Sequence, residues 1–364
     1  MAQTHGCAPG PRREPAPGLP AGENHSLASG RPGILRVGGR AVVRVTLRVR
    51  RFNPETDLEP RFQEYTLDLP DRATVLDALI TIRERVDGTL AFRYSCRMAV
   101  CGACGMRING LAGLACNTIL RRVAVDGAVT LEPMGNMPVA KDLVVNMEPF
   151  WHHLRAVKPY VEPHPDRVEP QDEYRISPRQ VSELWEAARC IMCGACFSEC
   201  TVDEIDINFL GPAALARAGW LVRDPRDSRA VDRLRELSRP NGIWDCTRCF
   251  YCVQVCPKDV NPLGQILRLR RLAVEAGITD NSGARHGQAF AESVKETGWL
   301  DEFSLVPKSW GWNPVALLSE LPTAVRMLVR KGAPLPVHPR QPGAREVRYL
   351  FEKIERSRLV EDDA

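Results

Sequence analysis

The chain has 364 residues, 44% of them hydrophobic and 26% charged, an ordinary globular composition that excludes a fibrous or wholly disordered protein. A net charge of only +4 and an aromatic content of 6% give no sign of a nucleic-acid surface. At about 150 residues per domain the length allows two domains and tails. The outlying number is the 13 cysteines. Disulfide scaffolds are typically short secreted chains, and this one is long enough to build a full core. Arg12-Arg13 is followed by Pro15, Pro17, Gly18 and Pro20 where a leader would be apolar, so no export signal is read. Val315 to Val329, the most apolar stretch, is broken by Glu320, Pro322 and Arg326, so no membrane span is expected. These features predict a reducing compartment, with thiols free to ligate metal.

In chain order, residues 1–35 are rich in Pro and Gly and are expected to form a disordered tail, with Cys7 a bystander inside it. Residues 36–140 read as an α+β domain. Val43, Val45, Leu47 and Val49 alternate with polar residues as in a half-buried strand, and Glu64–Leu69 is a second strand. Thr74, with Asp77 three residues on, caps a helix running to about Arg85. Met106–Ile108, the turn Asn109-Gly110 and Val129–Leu131 add further strands. Residues 141–280 read as all-α: Ser177-Pro178 and Asn261-Pro262 are helix starts, and Gly277 closes the second helix. Residues 281–364 form a helical extension, with a start at Asn313-Pro314 and a kink or restart at Pro322.

The cysteines fall in three groups. Cys96, Cys101 and Cys104 have C-x4-C-x2-C spacing with Cys116 following, the plant-type arrangement for a [2Fe–2S] cluster. Gly102 and Gly105 let backbone amides approach the sulfurs. The rival is a zinc site or plain buried thiols, but zinc favours two separated C-x2-C pairs. Cys190-x2-Cys193-x2-Cys196-x3-Cys200 repeats the spacing of Cys246-x2-Cys249-x2-Cys252-x3-Cys256, with Pro257 completing the second run. In this bacterial ferredoxin format the fourth cysteine of each run reaches the other cluster. Cys190, Cys193, Cys196 and Cys256 should therefore hold one [4Fe–4S] cluster, and Cys200, Cys246, Cys249 and Cys252 the second. No phosphate-binding glycine loop follows a strand, and the histidines, His152 and His153 among them, lie on no ligand spacing. The chain reads as an electron carrier with no catalytic residue of its own; the bond-making chemistry falls to a partner.

Arg93–Arg97, Val100–Gly102, Leu114–Cys116, Lys141–Val145, Lys158–Tyr160, Cys190–Cys193 and Val255–Pro262 resemble the iron–sulfur subunit of succinate dehydrogenase and fumarate reductase. The resemblance spans roughly residues 40–280. It implies an N-terminal β-grasp [2Fe–2S] domain followed by an all-α ferredoxin domain, and an FAD-containing flavoprotein that oxidises succinate or reduces fumarate. It further implies a membrane-attached, quinone-linked acceptor and a peripheral place on the inner, cytoplasmic face of the cell membrane. Three positions depart from the family pattern. Cys249 stands where a non-cysteine usually gives [3Fe–4S], which leaves that cluster as the alternative state of the second centre. Thr201 and Thr247 stand where Pro and His usually help form a quinone pocket. Within the extension, Gly283–Gly287 and the stretch Asn313–Pro336 resemble the helical end of heterodisulfide-reductase ferredoxin subunits. That likeness points to a cysteine-rich membrane-side subunit and leaves a heterodisulfide- or thiol-linked reductase as the alternative function. Val315, Leu318, Leu321, Val325 and Leu328 lie at helical spacing and either dock a partner or cap the chain's own core. Arg268, Arg270 and Arg271 either face an acidic flavoprotein or lie on a solvated helix face.

Overall fold

The structure, a computed structural model, describes residues 34–37, 40–165, 173–311, 313–319, 321–331 and 341–362. Most of the segment read as a tail, Cys7 included, lies outside the described residues, and the first strand begins at Ile34.

The alternation in the first apolar run has the expected result. In strand β2 (Arg40–Arg51), Val43, Val45, Leu47 and Val49 are buried while Arg44 and Arg48 face out. Strand β3 (Arg61–Pro70) pairs antiparallel with β2 over Val42–Arg51, which occupies one whole edge. The other edge is shared: β1 (Ile34–Val37) pairs antiparallel with Arg40–Val43, and β6 (Ala128–Glu132) pairs parallel with Thr46–Val49. Strand β4 (Gly105–Ile108) joins the far edge of β6, and β5 (Leu111–Leu114) joins β4 through the Asn109-Gly110 turn. Helix α1 (Val75–Arg85) crosses this mixed sheet. Thr74 and Asp77 form the reciprocal cap, and Val75, Leu76, Ala78, Leu79 and Ile82 are buried in one core with Leu47, Val49, Met106 and Leu131. A parallel central pair gripping one helix is the β-grasp arrangement. A four-residue helix, α2 (Leu120–Val123), and a small hairpin of β7 (Val139–Lys141) and β8 (Val144–Val145) finish the region. The hairpin carries strand structure slightly past residue 140, where the sequence suggested helices.

This sheet is locked to the hairpin by a buried arginine. Arg51 donates to Asp142 at 3.0 Å, to Asp87 and the Tyr65 hydroxyl at 2.6 Å each, and to Thr89 at 2.9 Å. Asp142 in turn accepts from the backbone N–H groups of Phe52 and Ala91. The end of β2, the loop after α1 and the β7–β8 turn therefore meet at one charge network.

The remaining described elements are helical: α3 (Glu148–Ala156), α4 (Pro178–Ala188), α5 (Ala195–Ser198), α6 (Thr201–Ile205), α7 (Gly211–Val222), α8 (Ala230–Leu237), α9 (Tyr251–Gln254) and α10 (Pro262–Glu275). Ser177 caps α4 with Gln180, and Asn261 caps α10 through Gly264 N–H. Helix α7 is the axis of this half, since nearly every residue from Gly211 to Val222 is buried. An apolar surface on all sides leaves no amphipathic period, which is why the sequence did not single it out. The extension forms α11 (Ser282–Thr297), α12 (Glu302–Ser309), α13 (Pro314–Ser319), α14 (Leu321–Lys331) and α15 (Ala344–Asp362), with α12 and α15 packed on α11. Val315, Leu318, Leu321 and Val325 are exposed, so they do not cap the chain's own core; the Leu328 side chain lies outside the described residues. Among the described residues no helix is long and apolar enough to cross a membrane.

Replacing Arg51 by Met should destabilise the β-grasp half by about 3–5 kcal/mol, because Asp142 is left buried and uncompensated; denaturant unfolding checks this. Hydrogen bonds from Thr89 and Tyr65, and then Arg51, hold the Asp87 carboxyl well below the ordinary carboxylate range. A folded-state value that is depressed stabilises above the ordinary value of about 3.9 and is lost as pH falls toward the folded one. Asp87→Asn should therefore lower stability at pH 7 and flatten its decline below about pH 4.

Candidate cluster-binding sites

The loop between α1 and β4 carries Cys96, Cys101 and Cys104 in a backbone that turns back on itself. Arg97, Ala99 and Gly102 all have positive φ, at 58°, 56° and 75°. Left-handed residues recurring every two or three positions turn amide groups inward, and such a nest suits an anionic core. The Cys96 sulfur accepts from the N–H groups of Met98, Val100 and Cys101 at 3.5, 3.4 and 3.3 Å, and Cys116 accepts from Ala99 N–H at 3.3 Å. The first two amides, with Cys101, pull the Cys96 thiol down to about 6. Cys104 is buried, and desolvation pushes its thiol up to about 12. Cys96 is in contact with Cys101, and Cys104 with Cys116. The structure thus gathers all four residues of the first group.

The two repeated runs fold alike. Met192 and Arg248 occupy the same place in each and both have positive φ, as do Gly194 and Phe250 one step after the second cysteine. Each turn leads into a four-residue helix, α5 or α9, that carries the third cysteine. One apolar cavity is lined by Cys190, Cys193, Cys196 and Cys256, together with Ile191, Pro257 and Val260. Another is lined by Cys200, Cys246, Cys249 and Cys252, with Phe209, Pro212 and Ile266. Each cavity therefore takes three cysteines from one run and the last from the other. Burial raises the thiols of Cys190, Cys193, Cys196, Cys200 and Cys252. Cys249 is exposed at the rim of the second cavity.

These surroundings suit a multi-iron core. All donors are sulfur, the walls are apolar, and the four thiols of each run pair ring a space. Among the described residues no three His, Cys, Asp or Glu side chains converge closely enough for a single ion. Two backbone positions supply further fit. A Cβ on Gly102 would stand 2.8 Å from both Cα and Cβ of Cys193, and one on Gly105 would stand 3.3 Å from the Cys193 carbonyl oxygen. The first ligand loop thus lies directly against the second.

Several residues that hold this junction carried no sequence signal. Arg107, three residues after Cys104, donates to Glu199 at 2.6 Å and to the Ser198 carbonyl at 2.9 Å. Asn136 donates to the carbonyls of Phe197 and Cys200, both at 2.8 Å, and Gly135 N–H donates to Ser198 Oγ at 2.8 Å. The seam satisfies the C-terminal end of α5, the helix that carries Cys196. Arg270 corrects the partner-facing and solvated readings alike: it is buried and donates to the carbonyls of Ile243, Trp244 and Cys246. Arg268 pairs with Glu186 and Arg271 with Glu275. Three residues after Cys200, burial lifts the Asp203 carboxyl to about 7, and among the described residues its oxygens have no hydrogen-bond partner. His153 is buried 3.9 Å away, packed on Phe197.

Residues 46–152 match the 2Fe-2S iron-sulfur cluster binding domain family and residues 186–260 the 4Fe-4S dicluster domain family. The fumarate reductase iron-sulfur subunit of Mycobacterium tuberculosis is 41% identical over 230 residues, covering 63% of this chain and 93% of that one. The succinate dehydrogenase iron-sulfur subunit of Coxiella burnetii is 35% identical over 229 residues, covering 62% and 95%. The 8-methylmenaquinol:fumarate reductase iron-sulfur subunit of Wolinella succinogenes is 31% identical over 276 residues, covering 74% and 85%. A chain of the Mycobacterium smegmatis Sdh1 complex in the apo form superposes with a TM-score of 0.58 at 28% identity, over 64% of this chain and 96% of that one.

The junction can be isolated by two glycine substitutions. Gly102→Ala and Gly110→Ala both place a side chain at positive φ, which costs about 1–2 kcal/mol, but a Cβ at Gly110 would meet nothing within 4 Å. Thermal unfolding should show Gly102→Ala to be the more damaging, with looser attachment of the two halves seen as faster proteolysis between them. Equal effects would mean that the contact with Cys193 carries no weight.

Proposed function

From the premise that this chain belongs to the family of fumarate reductase and succinate dehydrogenase iron–sulfur subunits, we propose a specific ligand set and electron route for it. The chain is the electron-transfer subunit of an oxidoreductase of this family, with [2Fe–2S] and [4Fe–4S] binding domains. In the proposed assignment, Cys96, Cys101, Cys104 and Cys116 hold one [2Fe–2S] cluster. Cys190, Cys193, Cys196 and Cys256 hold the first [4Fe–4S] cluster, and Cys200, Cys246, Cys249 and Cys252 the second. When bound, these clusters supply one-electron carriage in that spatial order. Residues 36–140 form the unit for the first, residues 141–280 the unit for the other two, and 281–364 an added helical part.

The observation that carries the reading is the pair of cavities, each lined by three cysteines of one run and the fourth of the other. The chain's own residues do the rest. Amides of Met98, Val100 and Cys101 stabilise negative charge at Cys96, and apolar walls line the two deeper sites, the second of them open to solvent at Cys249. Gly102 brings the first ligand loop onto Cys193 so that carriers in adjacent sites stand close. The partners proposed are an FAD-containing flavoprotein beside the first cluster and a membrane-attached, cysteine-rich acceptor beside the second, with the chain peripheral on the inner face of the membrane. The relatives favour succinate and fumarate over a disulfide or thiol substrate.

Anaerobic analysis of the full chain should find about ten irons, from one two-iron and two four-iron centres. Substantially fewer irons, or zinc in their place, contradicts the assignment. Cys249→Val should leave three thiolates at the second site and convert it to [3Fe–4S], giving a half-integer-spin signal in the oxidised protein that the anaerobic wild type lacks. An unchanged centre would make Cys249 a free thiol. Isolation of the native complex, with its subunits identified and succinate and fumarate assayed, tests the partners: a complex without a flavoprotein, or inactive on both substrates, contradicts the reading.

A further inference from the structure

The loop that presents Cys246 is short and closely held. It leaves α8 at Leu237, turns at Gly242, passes through the fully buried Ile243, and reaches Cys246 by way of Trp244. From one side Arg270 ties it to α10 through the carbonyls of Ile243, Trp244 and Cys246, at 2.8, 3.1 and 2.8 Å, with its guanidinium 5.4 Å from the Trp244 ring centre. From another side comes α11, the first helix of the extension. A Cβ on Gly283 would stand 2.5 Å from Trp244 Cβ, 2.7 Å from Cγ and 2.9 Å from Cδ2, so this helix rests its backbone on the indole. The next residue, Ala284, is buried, and Asn281 caps the helix by accepting from Ala284 N–H, which fixes where its first turn sits. The matched dicluster family ends at residue 260, short of this helix.

We infer that α11 is a cover for the Cys246 loop: through Gly283 and Trp244 it sets the solvent exposure, and so the reduction potential, of the second [4Fe–4S] centre. The inference rests on the ligand set proposed above. The second cavity has one open side, where Cys249, Thr247 and Phe250 are exposed, and one closed side, where Cys246 is partly buried and packs, as Trp244 does, against the core of Ile243, Ile266 and Leu269. Reduction adds negative charge to a cluster that four thiolates already make anionic. Water at the site stabilises that charge, whereas an apolar cover withholds the stabilisation. Trp244 and Gly283 are positioning residues here, since they act on the centre through the loop.

The test is an anaerobic potentiometric titration of the full chain, followed by electron paramagnetic resonance, with the [2Fe–2S] and first [4Fe–4S] centres as internal references. Gly283→Leu drives a side chain into the indole, and Trp244→Leu removes the indole without added bulk. Gly287→Ala, on the same helix with nothing within 4 Å of its Cβ, is the control. Either loop variant should shift the reduced-to-oxidised ratio of the second centre at least tenfold toward reduced at fixed potential. That corresponds to about 59 mV for a one-electron couple, with the other two midpoints and the control unchanged. The inference is overturned if neither variant moves the second midpoint, or if both disturb all three centres alike, since α11 would then support the fold and not the loop. Failure of the ligand assignment would show separately, as a wrong iron count in the wild type.

Discussion

The backbone of Gly102 lies directly on Cys193, and the rest of the molecule is arranged to permit that contact. Gly102 belongs to the loop of the β-grasp half and Cys193 to the first loop of the helical half, so any side chain at residue 102 would drive the two cysteine groups apart. The contact is small and could not orient two domains alone. Arg107 and Glu199 fix its register from one side, nine-tenths shielded from water, while Asn136 and Gly135 engage the carbonyl end of α5 and Ser198. A buried ion pair of this kind adds little net stability over an apolar substitute, yet losing one partner is costly. It specifies one docking geometry, which is what a chain of electron carriers requires.

Within each half, the cysteine loops owe their shape to backbone in the left-handed region. That conformation costs about 1–2 kcal/mol for a residue with a side chain, and it recurs at Arg97, Ala99, Met192, Arg248 and Phe250. Its recurrence at matching places in two runs, on different residue types, means that the strain is set by the loop's task and not by local preference. The surrounding structure holds these turns: α10 and Arg270 brace the Cys246 run, and the Met134, Met137 and Met147 side chains crowd Gly194 beside the Cys193 run.

Much of this was legible in the sequence because the signals were periodic or spaced. Alternation in Val43–Val49 fixed the central strand, Thr74 and Asp77 fixed the start of α1, and the cysteine spacing named groups that the fold brings together. What remained hidden was tertiary. Helix α7 has no period because it is buried all round, and β5 is too short and too rich in small residues to read as a strand. Arg107, Asn136 and Arg270 look like surface residues until their carbonyl partners, 24 to 91 positions away, are known. The close approaches of Gly102 and Gly283 are likewise properties of pairs of elements, which no single segment encodes.

The most direct test of the account is anomalous diffraction at the iron edge from crystals of the anaerobically prepared full chain. It should place three iron centres, one within the Cys96–Cys116 loop region and one in each cavity, with Cys256 bound to the centre of the Cys190 run and Cys200 to that of the Cys246 run. Single-ion density at any of the three places, or runs that each keep their own fourth cysteine, would contradict it.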